Sequence, residues 1–345
     1  MGSVGDASRF VYDDEIFPDL IRQFKVHQST LWTTEELDLA EDKREFETLD
    51  GRVQHLIKTV LAFFAFADGV VNENIGNNFY VEVPLPPARA FYAVQMLIET
   101  IHAETYSALL KTIVADRDEV RALKKTCETN PVIVAKAEWM KRFMHPDVPL
   151  VERLIAFAAV EGIFFSASFC VLFWLRTKGS MKGLTKSNEF IARDEGLHRD
   201  FAINLVNLIR REQSKPSVPE YADWFASLEM PSDERVVEIV KMATQVEQLF
   251  VKTAFDAVDP DRRGSVTLTG ISEDAMGQYV EFVADHLLQS LGLPRHFGSS
   301  NPFDFMDMIS IDGKTNFFEQ RVSEYARASS VGDRHIGDPD EDDDF

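Results

Sequence analysis

Between Arg153 and Arg176 lie 22 residues, LIAFAAVEGIFFSASFCVLFWL, whose sole charge is Glu161, close to the middle. A run of this length can cross a bilayer. A lone carboxylate in lipid is costly, however, and no other segment reads as a companion span. A helix that is apolar on every side belongs instead at the centre of a large soluble bundle. The rest of the chain can build one. Hydrophobic residues make up 45% of the 345, enough for a sizeable core rather than a disordered chain. The 27 phenylalanines sit mostly in periodic segments, where they serve as core.

Helical periodicity dominates. Strand signals, meaning short alternating runs joined by Asn-Gly or Asp-Gly turns, are scarce. The chain therefore reads as all-α. Long helices are predicted over residues 52–80, 87–115, 131–144, 150–178, 185–212, 233–257 and 273–292. Pro84, Pro86 and Pro87 separate the first two, because proline cannot continue a helix. Pro146 and Pro149 precede the apolar helix, and Gly179 and Gly183 follow it. Thr33-Thr34-Glu35-Glu36 offers a capping box for a short helix. Residues 1–30 read as an N-terminal arm, residues 213–231 as a loop or insertion, and no internal repeat shows. The end, GDPDEDDDF, is acidic and too polar to fold alone.

A net charge of −21 argues against direct nucleic-acid binding, which needs clustered Lys and Arg. Cys127 and Cys170 lie far apart and form no thiolate metal motif, so a reducing, cytoplasmic setting fits. No secretory signal or membrane anchor is expected.

Carboxylates occur where a core should exclude them: Asp68 in LAFFAFADGVV, Glu99 in AVQMLIETIH, Glu161 in AFAAVEGIFF and Glu195 in FIARDEGLH. A buried carboxylate must be paired or bind a metal. A single one is usually satisfied by Arg or Lys, but these are sparse in the first three segments. Glu99 and Glu195 are each followed at i+3 by histidine, His102 and His198. That spacing puts both side chains on one helix face, where they can share an ion. One Glu-x-x-His arises easily by chance. Two of them, with an acid from each of two further helices, reproduce the pattern of di-metal carboxylate bundles. Four carboxylates and two imidazoles suit iron or manganese, and the four charges would neutralise two divalent ions. The remaining histidines follow no Glu at i+3 and read as surface or core residues.

Tyr106 falls on the same face as Glu99 and His102. It is either a core tyrosine or a one-electron donor to an oxidised metal pair. A radical there would need a dry, inert cage. Phe165 and Phe169, one and two turns beyond Glu161, and Ile191, one turn before Glu195, could supply it or could be ordinary core. On these residues alone the job of such a bundle stays open: a metal pair that oxidises Tyr106, a di-iron oxidase or oxygenase for a small organic substrate, or a non-redox iron-storage or structural bundle.

The segments AFFAFADGVVNEN, ETIHAETYS, AFAAVEGIFFSASF, SNEFIARDEGLH, QYVEFVAD and NPFDFMDMISIDGKTNFFEQRVSEY carry a resemblance. From Leu31 to Phe345 the chain resembles the eukaryotic-type small subunit of class I ribonucleotide reductase. The resemblance implies a ferritin-like di-iron carboxylate bundle with additional helices, working as a homodimer. It places metal ligands at Asp68, Glu99, His102, Glu161, Glu195 and His198, and the radical at Tyr106. Aspartate as the first ligand is informative, since ferritins and many di-iron oxygenases use Glu there. The cofactor it implies is two iron ions, oxo-bridged when oxidised, with manganese as the alternative, and dioxygen as the oxidant. Radical transfer would run through Trp32, Asp194 and Tyr325 to a large subunit docked on the C-terminal tail, with Phe345 as its anchor. That partner reduces ribonucleoside diphosphates to deoxyribonucleotides, so this chain is active only with it. The implied plan is an arm (1–30), a di-metal domain (31–318) and a flexible docking tail (319–345). Residues 213–231 and 259–270 look longer than in familiar relatives, and neither stretch touches a proposed ligand.

Overall fold

A computed structural model of the chain describes residues 15–114, 116–258, 267–268 and 270–307. The helices, in chain order, are α1 (Pro18–Ser29), α2 (Asp42–Thr48), α3 (Gly51–Asn74), α4 (Tyr80–Glu82), α5 (Pro86–Ile113), α6 (Arg117–Thr129), α7 (Pro131–Met144), α8 (Leu150–Ala159), α9 (Ser166–Thr177), α10 (Lys182–Ser214), α11 (Ala222–Ala226), α12 (Asp233–Val258) and α13 (Glu273–Ser290). Among the described residues the only strands are β1 (Thr267–Leu268) and β2 (Ile271–Ser272), an antiparallel pair matching Thr267 with Ser272 and Leu268 with Ile271. The chain forms two compact units, Met1–Phe303 and Asp304–Phe345. Of the second, residues 304–307 are described, as a helical turn.

Local chemistry sets the helix ends. Asp50 accepts from the Arg52 amide at the start of α3, and Asn130 accepts from the Val132 and Ile133 amides at the start of α7. Pro86 and Pro131 occupy first-turn positions, where no amide donor is needed. At the start of α10 the Asp42 carboxylate accepts from the amides of Gly183 (3.0 Å) and Leu184 (2.6 Å). Gly183 is required there, because a Cβ would lie 2.4 Å from the Asp38 carbonyl oxygen. Gly179 ends the preceding helix with φ +69°, a conformation open to glycine.

The apolar segment is the central helix. α8 and α9 are joined by a π-helical turn, Val160–Phe164, into one rod over 150–177. The most apolar window of that rod is 94% buried. It packs against α7, α10, α12 and α13, which removes the membrane reading. A companion does exist, contrary to the expectation from sequence. Gly51–Glu82 is also long and apolar enough to span a bilayer. It joins α3 to α4 through a second π turn, Ile75–Phe79, and α3 packs on α5, α6 and α12.

A π turn loosens the ordinary i to i−4 ladder, and such turns concentrate at functional sites. Around Val160–Phe164 the neighbouring helices supply partners. The Lys136 ammonium on α7 donates to the Phe164 carbonyl (2.9 Å), and Glu247 on α12 accepts from the Ala167 amide (3.3 Å). Lys136 and Glu247 are fully buried and form an ion pair. The ammonium also sits 3.8 Å from the ring centroids of both Phe63 and Phe250.

Two regions differ from the sequence reading. The arm expected over residues 1–30 contains α1, which packs against α5 and α10 and buries Leu20 and His27. The stretch 213–231 is not a bare loop. It holds a 3₁₀ turn, Pro219–Tyr221, followed by α11, and it buries Tyr221 and Phe225. Their rings meet Phe17, just ahead of α1, at 5.9 and 5.8 Å. Gln213 ties the stretch down by donating to the carbonyls of Phe225 (2.9 Å) and Leu228 (2.7 Å).

Candidate metal centre

The central helices converge their acids. α3 presents Asp68, α5 presents Glu99 and His102, the π turn presents Glu161, and α10 presents Glu195 and His198. All six are at most 3% exposed. They form two overlapping groups, Asp68 with Glu99 and His102, and Glu99 with Glu161, Glu195 and His198. In each group the candidate ligand atoms lie within 4.8 Å of one another, and Glu99 is common to both. His198 Nδ1 lies 2.9 Å from Glu195 and 3.0 Å from Glu99. His102 Nδ1 lies 3.2 Å from Glu195 and 3.5 Å from Glu99. Both imidazoles thus turn the same nitrogen towards the same two acids.

Electrostatically this is a site built for cations. Burial, and then the neighbouring charge of Glu99, pushes the Asp68 carboxyl well above its ordinary range. Burial followed by Glu195 and Glu99 does the same to Glu161. Burial would depress the histidines, but the surrounding acids outweigh it. His198 is raised to about 9, chiefly by Glu99 and Glu195. His102 is raised by its contacts with Asp194, Glu195 and Glu99. Burial would raise Glu195, yet His198 and His102 bring it down. Without cations, protons must gather to hold four acids in so dry a space. Among the described residues, Asp68 Oδ2, both Glu99 oxygens, Glu161 Oε2 and His102 Nδ1 are buried without a hydrogen-bond partner. Orphaned oxygens in a four-carboxylate, two-imidazole set fit a pair of divalent ions with hard or borderline ligand preference. The six residues therefore fit the implied pair of ions.

Tyr106 lies two turns along α5 from Glu99 and is 2% exposed. Its ring stacks on Phe64, with centroids 4.8 Å apart and planes at 17°. Phe64 in turn meets Phe165 (5.8 Å) and Phe169 (5.1 Å). The two phenylalanines singled out from sequence thus belong to a cluster whose direct contact with the tyrosine is Phe64. Ile191 is fully buried on α10. Burial, then the charges of Asp68, Glu195 and Glu99, keeps the Tyr106 phenol protonated far above its ordinary range.

A chain of hydrogen bonds leaves the centre on one side. The outer nitrogen of His102, Nε2, is 3.3 Å from Asp194 Oδ2, and the same oxygen accepts from the Trp32 indole at 2.8 Å. Arg193 donates twice to Asp194 Oδ1 (2.9 and 3.1 Å) and once to the Thr30 carbonyl (2.9 Å). Burial would raise Asp194, but His102 and Arg193 hold its carboxyl low. Tyr325 and Phe345 lie outside the described residues.

Sequence reasoning missed three contributors. Gln95, one turn before Glu99 on α5, donates to Glu161 Oε1 at 3.0 Å. Phe64 is one turn before Asp68. His27 reaches His198 across 171 residues of sequence. The i−4 spacing to a ligand was a usable signal for Gln95 and Phe64, whereas nothing local marks His27.

A helical bundle that gathers four acids and two imidazoles from its central helices defines a ferritin-like di-metal carboxylate protein. This chain belongs to the ribonucleotide reductase small-chain family: the family described as "Ribonucleotide reductase, small chain" matches residues 9–302. It is 46% identical over 320 residues to the ribonucleoside-diphosphate reductase small chain of Trypanosoma brucei brucei, covering 93% of this chain and 87% of that one. It is 45% identical over 313 residues to the small chain of Nicotiana tabacum, covering 91% and 87%. Among solved structures, the ribonucleotide reductase Rnr4 homodimer from Saccharomyces cerevisiae matches with a TM-score of 0.73 at 29% identity, covering 93% of this chain and 91% of that chain. As a member of this family the chain is an oxidoreductase subunit of ribonucleoside-diphosphate reductase.

Proposed function

We propose that this chain is the radical-generating subunit, with Asp68, Glu99, His102, Glu161, Glu195 and His198 holding two iron ions and Tyr106 as the redox-active tyrosine. When bound, the metal pair supplies dioxygen activation and the oxidising power for one electron. The chain's own residues do the rest. Tyr106 gives up an electron and its phenolic proton. Phe64 stacks on that ring, and Phe165 and Phe169 back Phe64, side chains that offer no exchangeable hydrogen. Asp194 holds His102 and Trp32 on one carboxylate oxygen. The observation that carries the reading is this unbroken His102–Asp194–Trp32 connection, which an iron store has no use for. In the same reading the chain works in the cytoplasm as a homodimer. Its tail, through Tyr325 and the Phe345 anchor, docks the large subunit that reduces ribonucleoside diphosphates. An acidic tail with one aromatic anchor suits a segment that orders on binding.

Reconstitution with ferrous iron and air, followed by electron paramagnetic resonance and visible absorption, tests the centre. A tyrosyl signal lost in Tyr106→Phe is expected. Parallel loading with manganese, and with both metals, decides the native ion, and absence of a radical under every loading would overturn the reading. Deleting residues 340–345 should abolish large-subunit binding, and unchanged binding would refute the docking role.

A further inference from the structure

A histidine that ligates through one ring nitrogen keeps a hydrogen on the other, and the partner of that N–H fixes the ring's tautomer and orientation. The two histidines of the centre have different partners. His102 turns Nδ1 to the acids and Nε2 to the charged carboxylate of Asp194 (3.3 Å). His198 also turns Nδ1 to the acids, but its Nε2 lies 3.1 Å from Nε2 of His27.

The geometry points to His27 as the positioning residue for His198: a neutral imidazole that accepts the His198 Nε2–H and so holds Nδ1 towards the metal pair. This rests on the six acids and histidines being the ligands. His27 is completely buried on α1. Its ring meets His198 edge-on, with centroids 4.8 Å apart and planes at 70°, and lies 4.7 Å from Phe91. Among the described residues its other nitrogen, Nδ1, has no hydrogen-bond partner. Among the described residues the ring's one polar contact is therefore with His198. A metal on His198 Nδ1 leaves the hydrogen on Nε2, so His27 must offer a bare Nε2 and carry its own hydrogen on Nδ1. The short segment from His27 to Trp32 thus serves both ligand histidines, His198 directly and His102 through Asp194.

The consequence is an unequal pair of metal positions. A carboxylate partner strengthens an imidazole ligand, and a neutral imidazole partner does so less. The position served by His198 should be the weaker one and should depend on His27.

The test is manganese(II) binding to the full chain by equilibrium dialysis, with the spin coupling of the bound ions read by electron paramagnetic resonance. His27→Leu removes the acceptor, and His27→Gln replaces it with an amide oxygen. His27→Leu should weaken one of the two ions by about 10–100-fold and leave the other unchanged, the usual size of an outer-partner effect. The coupled-pair signal should give way to that of isolated manganese. His27→Gln should restore the second ion and the coupled signal, and Asp194→Asn should weaken the other ion instead. Leu and Gln variants that bind alike, or a Leu variant that weakens both ions equally, would assign His27 to packing alone. A wild-type chain that fails to bind two ions would overturn the ligand assignment itself, an outcome separate from any comparison among variants.

Discussion

Lys136→Met removes a cation from the core and leaves the side-chain volume almost unchanged. Lys136 is completely buried, paired with Glu247, and bonded to the Phe164 carbonyl at the end of the π turn that carries Glu161. Two groups lose their partner at once. Removing one member of a buried ion pair costs about 3–5 kcal/mol, because the other charge is left uncompensated. An orphaned carbonyl costs about 1–3 kcal/mol more. Burial already pushes the Glu247 carboxyl upward, so Glu247 can take a proton and soften the first loss. A net destabilisation of about 3–5 kcal/mol follows, or on the order of 6–10 °C in Tm for a domain of this size. Denaturant unfolding of the metal-free chain measures it. Lys136→Met/Glu247→Leu should recover at least about 2 kcal/mol, since a buried pair can be replaced by apolar groups at little cost. Neither variant restores a donor to Phe164, so manganese binding at the Glu161 side should stay weakened in both. A single variant within about 1 kcal/mol of wild type, or a double variant no more stable than the single, would refute the clamp.

Further expectations follow from the same kind of geometry. Asp285 accepts from the amides of His296, Phe297 and Gly298 (2.7–2.8 Å), and although burial opposes the shift these contacts hold its carboxyl below the ordinary range. Its folded value being depressed, its stabilisation is present above the unfolded value of about 4 and is lost as pH falls through the folded one. Asp285→Asn should therefore cost about 1–3 kcal/mol near neutrality, with the difference from wild type closing in acid; a gap that stays constant with pH excludes the charge as its cause. Gly183→Ala should cost more than about 2 kcal/mol through its clash with the Asp38 carbonyl, whereas Gly51→Ala, with open space around the added carbon, should be neutral or slightly stabilising on thermal melting. Phe225→Ala should cost about 3–5 kcal/mol and speed amide exchange in α1, and unchanged exchange there would show that residues 213–231 do not support it.

Much of this was legible because long helices write their period into the chain. The boundaries expected at 52–80, 131–144 and 233–257 fall close to Gly51–Glu82, Pro131–Met144 and Asp233–Val258. Proline and glycine punctuation placed the ends of the central rod. The acids stood out because their neighbours are apolar, and Glu-x-x-His spacing is a local property of one helix face. What stayed hidden depends on distant partners. α1 has as marked an apolar face as α10, but polar residues dominate its composition, and sequence alone reads it as an arm. α6 is strongly amphipathic, but its apolar residues are few, Val120, Leu123 and Cys127 among charged neighbours, and it is missing from the helices expected from sequence. Neither π turn has a sequence signature, although one raises a ligand. His27 has no local mark, since its meaning comes from α10. The stretch 213–231 looked like a loop because its anchors, Tyr221 and Phe225, are met by a ring two hundred residues earlier in the chain.

The π turn at Val160–Phe164 also decides which genetic changes the centre can survive. It accommodates an extra residue within an otherwise regular rod. Deleting any one residue of 160–164 would let the backbone close into an ordinary α-helix with its ladder intact, so the rod itself would lose little. Because the wide turn absorbs the extra residue, the helix beyond it would keep its phase, and Phe165 and Phe169 would stay against Phe64. The loss would be local: the backbone that presents Glu161 would tighten, and the carbonyl now bonded to Lys136 would be drawn into the ladder. A codon loss elsewhere in α8 or α9 has no wide turn to absorb it and would rotate everything beyond by about 100°. The rod can thus lose a residue cheaply at this turn, and there the cost falls on the placement of Glu161.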